Sequence, residues 1–201
     1  MANIKPAKLG TFFALLTILM AFAMGAGMGL FEDEAKDFFK DEAYAARYTA
    51  YGVEPATTKP ATPEAPKADA AKADDKEARV LTPKMEKAAA DAWKYTKRAH
   101  YHSGGIGAVA LGLCLMLGIV SRCGICKFLG SLCLGLGALG YSVFWGLAAW
   151  KAPTLGSTGA AKEMFEYVAM GGGGLCLFGL LLAFMAFFKG CCGSGCSLED
   201  E

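Results

Sequence analysis

The chain has 201 residues, of which 54% are hydrophobic and 19% charged, with 26 glycines and a formal net charge of +1. The charges crowd into a few segments instead of covering the length, which excludes an ordinary soluble domain and marks a membrane protein. Near-neutral charge without a basic, aromatic-studded stripe excludes a nucleic-acid binder, and the length leaves no room for a large catalytic domain beside membrane spans.

In chain order, residues 1–8 form a short flank with Lys5 and Lys8. Residues 9–31 are uncharged and long enough for a first transmembrane helix. The small residues Ala21 and Ala23 also fit a cleaved secretory signal, but the apolar run outlasts a signal core, which favours an uncleaved anchor. Residues 32–52 place Tyr44, Tyr48 and Tyr51 at helical spacing beside a stripe of Phe31, Ala35, Phe38 and Phe39, an outer amphipathic helix. Residues 53–82, rich in Ala, Pro and Lys and without aromatics, read as a disordered, extended linker, because they hold too little apolar surface to offset the entropy of ordering.

Thr82-Pro83 starts a second outer helix, 83–102, with Met85, Ala89, Ala92, Trp93, Thr96 and His100 on one face. It runs into a second span at 103–121. A loop at 122–127 contains the CGIC motif, and a third span follows at 128–150. The outer loop 151–166, a fourth span at 167–188 and a Cys-rich tail at 189–201 complete the chain. The predicted fold class is therefore an all-α integral membrane protein, four transmembrane helices in a Gly-rich bundle with two amphipathic extramembrane helices. Pairs such as Ser131/Gly135, Cys133/Gly137, Ser142/Gly146 and Gly172/Cys176 provide close-approach faces, in numbers that also point to other subunits or further copies of the chain. Gly171 to Gly174 follow no strand, so they mark close packing or a helix break and not a phosphate loop.

Lys5, Lys8, Arg122, Lys127 and Lys189 fall on one side, against Lys151 and Lys162 in the short loop opposite. Excess cations stay cytoplasmic, so both termini are expected inside and residues 32–102 outside, in the periplasm if the membrane is a bacterial inner membrane.

The only histidines are His100 and His102. Two helical residues two apart point about 200° apart, so they do not chelate one metal on a continuous helix. His100 shares a face with Gly104, Ala108 and Gly112, small enough for a helix or flat cofactor to approach, and is the better candidate for haem b, quinone or metal contact. His102, in line with Ile106, Val109 and Leu113 on what reads as a lipid or packing surface, drops to a lipid-interface residue. A haem iron takes a second ligand, which Met28, Met170 or a partner subunit would supply. Interfacial polar residues without a cofactor are the competing reading of both histidines.

Cys123 and Cys126, with Cys191, Cys192 and Cys196 in the tail, have the composition of a zinc or iron–sulfur site at the cytoplasmic surface; lipidated or merely small cysteines compete. Cys114, Cys133 and Cys176 lie inside spans and read as packing residues. Four spans and a CCG triplet do not make a tetraspanin, whose CCG lies in a large loop between spans three and four and not in the tail.

No span carries a charge, nucleophile–base pair or carboxylate pair, which argues against ion-coupled transport and against an enzyme. The first expectation is a non-catalytic membrane subunit of a larger respiratory or electron-transfer complex, with the lipid bilayer and other membrane or periplasmic subunits as partners. Alternatives are a metal-binding or redox-sensing protein working through its cysteines, and a cofactor-free scaffold.

Overall fold

The structure, a computed structural model, describes residues 5–51, 82–121 and 123–189, and every regular element among them is helical. A 3₁₀ turn at Lys5–Ala7 leads into α1 (Lys8–Leu30). The others are α2 (Glu32–Tyr51), α3 (Pro83–Val120), α4 (Gly124–Leu155), α5 (Thr158–Met164) and α6 (Glu166–Lys189). Four of them, α1, α3, α4 and α6, are long and apolar enough to cross a membrane. These are the helices of a multi-pass membrane protein. The expected linker at 53–82 and the tail from 190 lie outside the described residues, apart from Thr82.

In hydrocarbon, a buried hydroxyl must find a partner within the protein. Thr17, Ser103, Ser131 and Ser142 are all fully buried, and each donates to the carbonyl one turn back, to Phe13, Ala99, Lys127 and Ala138 at 2.6–2.8 Å. The hydroxyls thus satisfy themselves locally, and helix association rests on how closely the backbones approach.

Helix α4 is the hub. It packs against α1, α3 and α6, whereas α1 and α6 do not touch among the described residues. Glycines make the contacts. A β-carbon at Gly10 would fall on the Ser131 carbonyl, and one at Gly135 on the carbonyl of Gly10. On another side of α4, a β-carbon at Gly137 would come 2.6 Å from the Cys176 nitrogen, and one at Gly172 2.6 Å from that of Tyr141. Of the glycines at 171–174, Gly172 alone makes such a contact, and α6 continues through all four without a break. The core between the spans is correspondingly small-residued: Ala14, Ala110, Cys114, Leu117, Leu134, Ala138, Ala183 and Ala186.

The buried row of α3 differs from the face expected. Ser103, Gly107, Ala110, Cys114 and Leu117 are buried, while Ala108 and Gly112 are exposed, so the contact face lies one residue ahead of the Gly104/Ala108/Gly112 ladder. Spacing by fours alone drifts around a 3.6-residue helix, whereas the observed alternation of fours and threes keeps to one side.

At the far end from residues 121–123, α3 and α4 outrun the bilayer. Their 38 and 32 residues span about 57 and 48 Å at 1.5 Å per residue, against a hydrocarbon core of about 30 Å. The projecting turns join α2 and α5 in a cap. Its core comprises Phe39 and Ala43 from α2, Ala89, Ala92 and Trp93 from α3, Ala152 from α4 and Ala161 from α5. The expected loop 151–166 is thus largely helical. Helix α4 continues to Leu155 and ends on Gly156 in the left-handed conformation (φ 57°), where a side chain would be strained. Ser157 then caps α5 by accepting from the Ala160 N–H. Thr82 stands at the start of α3 in extended conformation ahead of Pro83, but its hydroxyl makes no capping bond. At the corner between α1 and α2, the Lys36 ammonium lies 2.7 Å from Glu32 and holds that exposed carboxyl below its ordinary pKa.

Candidate functional site

The two histidines sit where α3 passes from cap to span, and the helix is continuous there, so their rings go to different neighbours. His100 faces α1. Its Nδ1 is 2.9 Å from the Ala21 carbonyl oxygen. A carbonyl only accepts, so Nδ1 is the donor in this contact, and Nε2 is the nitrogen that the contact leaves over. Gly25 makes room for the imidazole, since a β-carbon there would come 2.9 Å from Cε1. The histidine is therefore a tie between α3 and α1, with one nitrogen left over.

Met28 packs into the cap core, and Met170 is exposed on α6, a helix without contact to α1 among the described residues. The roles of Ala21 and Gly25 were not legible in the sequence, because a backbone carbonyl leaves no residue signature.

His102 faces α4. Its ring stacks on Trp145 (5.6 Å, 21°) and meets Tyr141 edge-on (5.4 Å, 80°). Tyr95 packs edge-on against the same Trp145 at 5.4 Å, and Phe144 does so at 5.1 Å. Of the two surfaces expected for this face, lipid or packing, His102 is on packing: it is half-buried in an aromatic bank between α3 and α4 and not at the lipid interface. Period alone placed it on the Ile106 side but could not say which helix covers that side.

Around this bank the cations line up over rings. The Arg98 guanidinium carbon is 5.4 Å from the Tyr95 centroid and 5.3 Å from that of Trp145, and Lys162 Nζ is 5.6 Å from that of Tyr95. On the opposite face of α3, Trp93 lies beneath both Lys36 and Lys97.

The chain was compared with protein-family models, curated proteins and solved structures. It matches none of them.

The cysteine cluster is only partly described. Cys123 is buried in the turn before α4, and Cys126 is half-buried in its first turn. Cys191, Cys192 and Cys196 lie outside the described residues. Among the described residues, no group of three or more His, Cys, Asp and Glu side chains is placed to hold a metal. Cys114 is fully buried and donates to the Ser131 carbonyl at 3.4 Å, consistent with a packing residue.

Replacing His100 by alanine removes the tie to Ala21 and leaves space over Gly25. Stability in detergent is expected to fall by about 0.5–1.5 kcal/mol, the net contribution of one hydrogen bond, measured by denaturant titration followed by circular dichroism. An unchanged unfolding midpoint would show that the tie contributes nothing.

Proposed function

We propose that the chain is a non-catalytic, multi-pass membrane subunit of a larger assembly, in which the cap anchors partner subunits. The observation that carries this reading is the projection of α3 and α4 beyond any bilayer, clamped to α2 and α5 by an apolar core. Crossing a membrane requires no such extension, whereas a platform held rigidly above the surface gives a partner a fixed place to dock. The cap belongs in the periplasm of a bacterial inner membrane and both termini in the cytoplasm, because the short cationic flanks favour that orientation.

The assembly is of the respiratory or electron-transfer kind, with His100 the residue that contacts its haem or quinone. In support, an Nδ1–H bonded to a backbone carbonyl is the arrangement that orients an imidazole and leaves Nε2 for a ligand. The other ligand would come from a partner subunit.

Native mass spectrometry of the protein extracted from its own membranes in mild detergent tests the proposal. The expected result is a particle well above the 21.1 kDa of the chain, containing other polypeptides in fixed ratio. Particles made of this chain alone would overturn it. A Soret band in that particle, lost in His100→Ala, is expected for the haem contact; its absence from the intact particle removes haem from the reading.

A further inference from the structure

Among the described residues, three cations on the α4 side of the cap make no ion pair. Among the described residues, the ion pairs are Lys36 with Glu32 and Asp33, Lys40 with Asp37, and Lys94 with Asp91. Arg98 from α3, Lys151 from the end of α4 and Lys162 from α5 belong to none of them, and Glu163 and Glu166, although exposed nearby, pair with none of the three. Instead each lies against an aromatic ring: Arg98 on Tyr95 and Trp145, Lys162 on Tyr95, and Lys151 on Trp150 at 4.4 Å. A ring face holds a cation in place but accepts none of its classical hydrogen bonds, so the guanidinium retains five N–H donors and each ammonium three.

Depth decides what these donors meet. Arg98 is the last charged residue before the second span, five residues ahead of its expected start at Ser103, which is about 7.5 Å along the helix. The headgroup layer of a bilayer occupies about 5–8 Å outside the hydrocarbon on each side. Tyr101, Trp150 and Tyr167 are 67%, 50% and 84% exposed at the same end of the spans, as interfacial anchors are. Arg98 is therefore placed in the phosphate layer of the leaflet on the cap side.

We propose that Arg98 and Lys162, set over Tyr95 and Trp145, form a site for the phosphodiester headgroup of an anionic phospholipid in that leaflet. Selectivity follows from charge. A zwitterionic headgroup brings an ammonium of its own up to cations that make no ion pair, whereas a phosphatidylglycerol-type headgroup brings none. The planar guanidinium suits two phosphate oxygens, and Lys162, against the same Tyr95 ring, adds a second cation. The site is independent of the partner-anchoring reading and of which leaflet faces the cytoplasm.

The test uses the full-length chain in nanodiscs of phosphatidylcholine with a minority of phosphatidylglycerol, followed by gentle extraction and native mass spectrometry of retained lipid. The unmodified protein is expected to retain phosphatidylglycerol above its share in the disc. Arg98→Gln and Lys162→Gln should each lower that enrichment roughly fivefold, as expected for one cation at a membrane surface. Lys40→Gln, on the exposed side of α2, should leave it unchanged, and Arg98→Lys should fall between. Unfolding midpoints of all variants report whether the cap is intact. Retention in bulk proportion by the unmodified protein, or undiminished enrichment in a folded double variant, overturns the proposal. Release of the lipid by millimolar inorganic phosphate would assign the site to free phosphate instead. An acidic polypeptide bound through Arg98, in discs that show no lipid enrichment, would assign it to a protein partner.

Discussion

Replacing Gly10 by leucine is expected to detach α1 from α4 and to abolish cooperative unfolding of the intact bundle. The physical reason is that even a β-carbon at Gly10 meets the Ser131 backbone, which cannot rotate away as a flexible side chain would. Inserting side-chain volume into a packed interior costs about 1–3 kcal/mol when the surroundings give way, and more when they are backbone. Gly112→Leu is the matched control, since nothing lies within 4 Å of a β-carbon there, and leucine is the better helix former by about 0.5–1 kcal/mol. Thermal unfolding in detergent should show a large loss for Gly10→Leu and no loss for Gly112→Leu. Equal effects would mean that the α1–α4 contact does not hold the bundle together.

Truncating Trp93 to alanine should be the most damaging change in the cap. The indole is 7% exposed and fills the space between α2 and α3, and Lys36 and Lys97 lie over it. Loss of a buried aromatic costs about 3–5 kcal/mol, and the cap core otherwise consists largely of alanines with little to contribute. Hydrogen exchange should rise sharply in residues 32–46 and 83–97 while the spans remain protected. Uniform exchange across cap and spans would instead mean that the two unfold as one unit. The comparison also bears on the proposed function, because a cap that melts separately can be loosened without expelling the chain from the membrane.

The spans and the outer helices were legible because apolar length and 3.6-residue periodicity are properties of one segment at a time. The division of the histidine pair was legible for the same reason, as two residues on one helix have a fixed angle between them. What covers each face was not. The His100 tie depends on the Ala21 carbonyl, and the His102 stack on Trp145, in helices far away in the chain. The contact row of α3 was misplaced by one residue because small residues are so frequent in these spans that several faces look equally suitable. The helical form of 151–166 was not read because the segment was bounded only by the charges that end the uncharged spans, whereas α4 runs on through Pro153 to a left-handed cap at Gly156.

That α4 touches every other span, while α1 and α6 do not meet among the described residues, has a bearing on biogenesis. The hairpin of α3 and α4 can form as soon as both have left the ribosome, and α1 is already in the bilayer to join it. Helix α6 is synthesised last and docks along a seam at Gly172, Cys176 and Gly179. The order of synthesis is thus an order in which each arriving helix finds its surface already assembled, and a chain that stalls before α6 leaves the glycine seam of α4 open to lipid or to a quality-control protease.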